Sequence, residues 1–124
     1  MLDFEKEYSS DIVVITVNLS RATVKEAHEF KKFIDEEIRM KKLKIIIDLS
    51  GCDFIDSTFI GVLVVTLKKL SEIGGEIRIV EPPSIAHTIL TVTGTLNIFN
   101  TNKTRSEAIV SLLDPNSFYN LMVS

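Results

Sequence analysis

A single cysteine and only two histidines occur in these 124 residues. Cys52 alone excludes an intramolecular disulfide, a paired-cysteine zinc site and a CxxC redox pair, and it points to a reducing compartment, here expected to be the cytoplasm. No field of one charge sign is present. Fourteen Lys and Arg against seventeen Asp and Glu leave −3, and their interspersion argues against nucleic acid or an anionic membrane as partner. Long apolar runs are missing too: Phe59 to Leu67 is broken by Thr66 and closed by Lys68 and Lys69, well short of the ~20 residues of a membrane span. The start, Met1-Leu2-Asp3-Phe4-Glu5, is acidic and lacks the apolar stretch of a signal peptide. No Gly- or Ser-rich linker, repeat or low-complexity segment divides the chain, so one domain over residues 1–113 is expected, followed by a tail over 114–124 without clear periodicity.

With 45% hydrophobic and 25% charged residues, a chain of this length builds a core without a metal or disulfide staple. Ile12 to Val17 is an unbroken run of β-branched residues and reads as a buried strand, paired with an acidic first strand near Phe4 to Tyr8. Val24, Ala27, Phe30, Ile34 and Ile38 recur at helical spacing between Thr23 and Met40. Ile45-Ile46-Ile47 is apolar on both faces, as a central strand covered on both sides should be. Ile60, Leu63, Val64, Leu67 and Leu70 define a second long helix after Ser57, stopped by Gly74-Gly75. Glu76 to Val80 forms the next strand, Ser84 caps a short helix, Leu96 to Phe99 reads as a last strand, and Thr104 with Glu107 opens a final helix through Leu113. The order β-β-α-β-α-β-α-β-α predicts an α/β layered domain with a mostly parallel central sheet, a mixed N-terminal edge and about four helices.

Sites in such sheets gather where a strand hands over to a helix beyond its carboxyl end. The richest handover is Asp48-Leu49-Ser50-Gly51-Cys52-Asp53-Phe54-Ile55-Asp56-Ser57-Thr58. As a calcium loop counted from Asp48 it fails, with Asp53 where Gly belongs and Phe59 where a bidentate Glu belongs. It carries neither GxxxxGK[ST] for a nucleotide nor GxSxG for a hydrolase. His28 and His87 read as surface histidines, and neither adjoins a nucleophile in sequence. No enzyme, metal or cofactor is called for. Ser57 stands out. By itself it reads as a helix N-cap; a phosphate there would meet the positive end of the helix macrodipole and add about −1.5 to −2 charges beside Asp53 and Asp56.

The stretch Ile45 to Thr58 resembles the central signature of the STAS domain, in particular the bacterial anti-sigma factor antagonists: an apolar strand, Asp-Leu, a short loop and Asp-Ser-Ser/Thr-Gly. Gly74-Gly75, Thr93-Gly94-Thr95-Leu96 and Arg105-Ser106-Glu107-Ala108 resemble later units of the same family. The chain departs from the pattern at Phe59, where the family usually has Gly, and at Val17-Asn18-Leu19-Ser20, which replaces Gly-x-Leu-Asp.

The resemblance implies a cytoplasmic module, itself without ATP, that binds an anti-sigma factor which is also an ATP-dependent serine kinase. Binding frees the sigma factor, and phosphorylation of Ser57 abolishes binding. A phosphatase to reverse the modification and a homodimer fit the same picture. A STAS-like scaffold that binds without phosphorylation, or a regulatory subunit of a membrane transport system, is the alternative. The partner surface is expected at Asp53, Asp56, Thr58, Phe59 and Val62. Phe59 and Val62 share a helix side separate from the Ile60 and Leu63 stripe, which leaves that side to a partner, to the tail or to a second copy of the chain.

Overall fold

Backbone polarity and the β-branched runs settle into a central sheet in the computed structural model, which describes residues 1–113. Along the chain lie β1 (Phe4–Ser9), β2 (Ile12–Val17), β3 (Arg21–Ala22), α1 (Val24–Arg39), β4 (Lys44–Asp48), β5 (Phe54–Ile55) and α2 (Ser57–Glu72). Then follow β6 (Glu76–Val80), α3 (Ser84–Val92), α4 (Thr95–Ile98), β7 (Asn100–Asn102) and α5 (Arg105–Leu113). The five-stranded sheet has the order β1-β2-β4-β6-β7. Among the described residues only the β1–β2 hairpin is antiparallel; β2–β4, β4–β6 and β6–β7 are parallel. The expected α/β domain with a mixed N-terminal edge is therefore present. The tail expected over 114–124 lies outside the described residues.

Strand alternation divides the core between the two sheet faces. Val13, Ile15, Ile45, Ile47, Ile77 and Ile79 join the buried residues of α1, α2 and α3. Ile12, Val14, Ile46 and Val80 form a smaller cluster with Ala108 and Leu112 of α5. Ile45-Ile46-Ile47 is covered on both faces, which is why it carries no polar alternation. At the end of α2, Gly74 takes the left-handed conformation (φ +80°), and Gly75 fits where an added Cβ would stand 2.7 Å from the Leu43 carbonyl oxygen and from Leu70 Cδ2.

Three local expectations change. Leu96 to Phe99 is not a strand: Gly94 at φ +75° breaks α3, and Asn97 N–H bonds the Gly94 carbonyl at 3.1 Å, closing the single helical turn α4 before β7 begins at Asn100. Five helices result among the described residues, one of them a single turn. Ser84 is not the cap of α3; Pro83 occupies that place without a side-chain bond, and Ser84 sits at φ +58°. A second, two-stranded parallel sheet, β3 with β5, was not anticipated.

Candidate functional site

Asp48, the last residue of β4, bridges the start of the loop that follows it and the start of α5. Its carboxylate accepts the Ser50 N–H at 2.9 Å and takes Arg105 Nε at 3.2 Å and Nη2 at 2.8 Å, while Arg105 also donates to Thr16 Oγ1 at 2.7 Å and pairs with Glu7. Asp48 therefore ties the start of α5 to the sheet and does not join the Ser57 cluster. Burial opposes its ionised form, but the Ser50 bonds and the Arg105 guanidinium outweigh it and hold the carboxyl below its ordinary range. A depressed folded pKa contributes stability that is present above the unfolded value and lost as pH falls through the folded one. Below about pH 4, the ordinary Asp value, acid unfolding of the wild type should accordingly be steeper than that of Asp48→Asn, compared by circular dichroism. Parallel acid curves would remove Asp48 as the cause.

Beyond Asp48 the loop is pinned from both sides. Cys52 is fully buried with Sγ 3.1 Å from the Phe54 carbonyl oxygen, and that burial raises its thiol above the ordinary range. Asp53 N–H and Phe54 N–H both bond the Ser20 carbonyl, at 2.8 and 3.0 Å. Ser20 Oγ donates to Asp53 Oδ2 at 3.0 Å, and the Asp53 carbonyl accepts the Ala86 N–H of α3 at 2.9 Å. The Arg21 guanidinium lies 4.2 Å from the Phe54 ring centroid.

Asp56, not Ser57, is the N-cap of α2. Its backbone is extended (φ −100°, ψ 173°), and its carboxylate accepts the Phe59 N–H at 2.9 Å. The other carboxylate oxygen accepts the Val24 N–H, at the start of α1, at 2.8 Å. Ser57 thereby becomes the first residue of a 16-residue helix, and its side chain is exposed, as is that of Thr58. The loop brings Asp53, Asp56, Ser57 and Thr58 into one segment at the N-terminus of α2.

Phe59 and Val62 do not join them. Phe59 is fully buried, stacked on Phe30 of α1 with ring centroids 4.3 Å apart and planes 9° apart, and near Phe4 of β1 at 6.4 Å. The side of α2 expected to face a partner is instead covered by α1, and Val62 packs half-buried against the same core. Phe59 is core, where a bulky aromatic completes a three-ring stack with Phe4 and Phe30. The exposed apolar side chains that flank the loop are others: Val24, 62% exposed, and Ile85 of α3, 64% exposed. The Thr23-x-x-Glu26 capping box was the available signal for a helix opening at Val24. His28 is exposed, and His87 Nε2 lies 2.9 Å from Glu81 Oε1, away from Ser57 in sequence.

A mixed sheet between helices, with a serine at the head of the helix that follows its central strand, defines an α/β module whose exposed feature is that loop. The STAS domain family matches residues 3–108. A Thermotoga maritima relative, named "Putative anti-sigma factor antagonist", is 33% identical over 107 residues, covering 86% of this chain and 94% of its own. A crystal structure from the same organism, described as that of "a putative anti-sigma factor antagonist", superposes with a TM-score of 0.82 at 31% identity, over 88% of this chain and 93% of the other. The phosphorylated form of the Bacillus cell fate determinant SpoIIAA has the same fold, with a TM-score of 0.68 at 19% identity over 88% and 98% of the two chains. The chain belongs to the STAS domain family, in the group of anti-sigma factor antagonists.

Proposed function

We propose that the chain is a phosphorylation-switched binding module, which sequesters an anti-sigma factor that is also an ATP-dependent serine kinase and so frees a sigma factor. Phosphorylation of Ser57 ends the association, and a phosphatase restores it. The observation that carries this reading is the position of Ser57: exposed, first in α2, within a loop pinned to α1 through Asp56 and to α3 through Asp53. The macrodipole of α2 tolerates a phosphate there, while Asp53 and Asp56 make the surface more acidic once it arrives. The partner contacts are drawn from the exposed part of the loop, Asp53, Ser57 and Thr58. Asp56, with both carboxylate oxygens accepting backbone N–H groups, positions Ser57 and is not itself a contact. The relative's name and the phosphorylated state of the fold neighbour support this reading over the transport-subunit alternative. No helix among the described residues is long and apolar enough to cross a membrane, and the module is assigned to the cytoplasm as part of the same proposal.

Incubation with the cognate kinase and ATP should add one phosphate, which peptide mapping places on Ser57. Equal labelling of Ser57→Ala would overturn the assignment.

A further inference from the structure

We propose that the Asp56 carboxylate makes the first turn of α1 part of the switch, so that a phosphate on Ser57 is felt at Val24 as well as in its own helix. The inference rests on the reading of Ser57 just given. Asp56 serves two helices with one side chain: Oδ1 accepts the Phe59 N–H at 2.9 Å and Oδ2 the Val24 N–H at 2.8 Å. The first N–H groups of a helix have no partner within it. In α1 the Thr23 hydroxyl is already committed, accepting the Lys25 N–H at 3.3 Å, and Glu26 Oε1 is committed to the Thr23 N–H at 3.0 Å. The acceptor for Val24 therefore comes from the cap of α2.

A phosphate on Ser57 stands one residue from that carboxylate. The two anions repel each other and compete for the same N–H groups at the head of α2. If Asp56 gives up its bond to Phe59, phosphate oxygens on the same helix can replace it. Both bonds come from one planar carboxylate, so a carboxylate that turns away from the phosphate moves Oδ2 together with Oδ1; neither Thr23 Oγ1 nor Glu26 Oε1 is free to replace Oδ2 at Val24, and the link to α1 is the one that loosens. The altered surface carries Val24, 62% exposed, and the exposed Lys25 next to it, beside the loop that holds Ser57.

The test places phosphoserine at position 57 during synthesis by genetic code expansion, with no kinase. A kinase that ignored Ser57 would thus refute the proposed function without touching this experiment. The readouts are the amide shifts and hydrogen-exchange rates of Val24 and Lys25. In the native chain, phosphoserine should speed Val24 exchange about tenfold, the change that loss of an ordinary cap bond gives. Asp56→Asn keeps one oxygen for the cap of α2 but offers none to Val24. There Val24 should already exchange quickly, and phosphoserine should add less than about twofold. Val24→Pro cuts the link from the other side, because proline is accepted at the first helical position and the extended Thr23 (φ −132°, ψ −175°) suits the residue before it. In that variant the Lys25 amide should no longer respond to phosphoserine, and it decides the matter should Asp56→Asn fail to fold. A Val24 amide unmoved by phosphoserine in the native chain overturns the proposal. So does a response of full size at Val24 in Asp56→Asn, or at Lys25 in Val24→Pro.

Discussion

Phe59→Ala should cost the fold about 3–5 kcal/mol, a large share of the roughly 5–15 kcal/mol that holds a domain of this kind together. The ring is fully buried and lies in parallel contact with Phe30, so its removal leaves a cavity lined by residues from β1, α1 and α2. At a few degrees per kcal/mol, the melting temperature should fall by roughly 10–25 °C. Val24→Ala offers the contrast, since Val24 is 62% exposed, and a surface truncation of that kind stays within about 0.5 kcal/mol. Thermal and urea unfolding of both variants should separate them clearly. A near-normal melt for Phe59→Ala would mean that the stack contributes nothing and that Phe59 is free for a partner.

Ser57→Asp should have the opposite profile, with little effect on the fold and a large effect on association. A carboxylate in the first turn of α2 is favoured by the macrodipole by about 0.3–1 kcal/mol, so the melt should stay within a few degrees of wild type. At a partner surface the same charge is desolvated close to Asp53, and burial of an unpaired charge costs several kcal/mol. Affinity for the anti-sigma factor should fall at least about a hundredfold, at 1.4 kcal/mol for each factor of ten. Differential scanning calorimetry and titration calorimetry on one preparation measure both quantities. Unaltered affinity would remove the electrostatic basis of the switch, and an unfolded variant would move the effect from the interface to the fold.

The long elements were legible because their patterns are long. The spacing from Val24 to Ile38 repeats often enough to exclude other periods, and the β-branched run Ile12 to Val17 and the triplet Ile45-Ile46-Ile47 read as strands from their short length and β-branched content. Two-residue strands leave no period to read, and β3 and β5 went unseen. Ser57 and Asp56 both have the chemistry of a cap, so their order in the helix rested on backbone angles that sequence does not carry. The burial of Phe59 is hidden from the sequence for a different reason. A helical wheel shows which residues share a side of α2, but not that α1 covers a second side with Phe30. The pairing of Asp48 with Arg105 spans 57 positions and gives no local signal. The loop itself was readable, because its carboxylates and hydroxyls lie in one short stretch; which of them faces outward was decided by tertiary packing.

The central claim, that phosphorylation of Ser57 reverses capture of the anti-sigma factor, is tested most directly by following the sigma factor. The measurement begins with the preformed complex of anti-sigma factor and sigma factor, to which this chain is added, and the free sigma factor is recorded before and after ATP. The sigma factor should be released when the chain is added and recaptured once ATP has phosphorylated it. With Ser57→Ala, release should persist after ATP. Recapture of the sigma factor in the presence of Ser57→Ala, or a wild-type chain that keeps it released after full phosphorylation, would contradict the account.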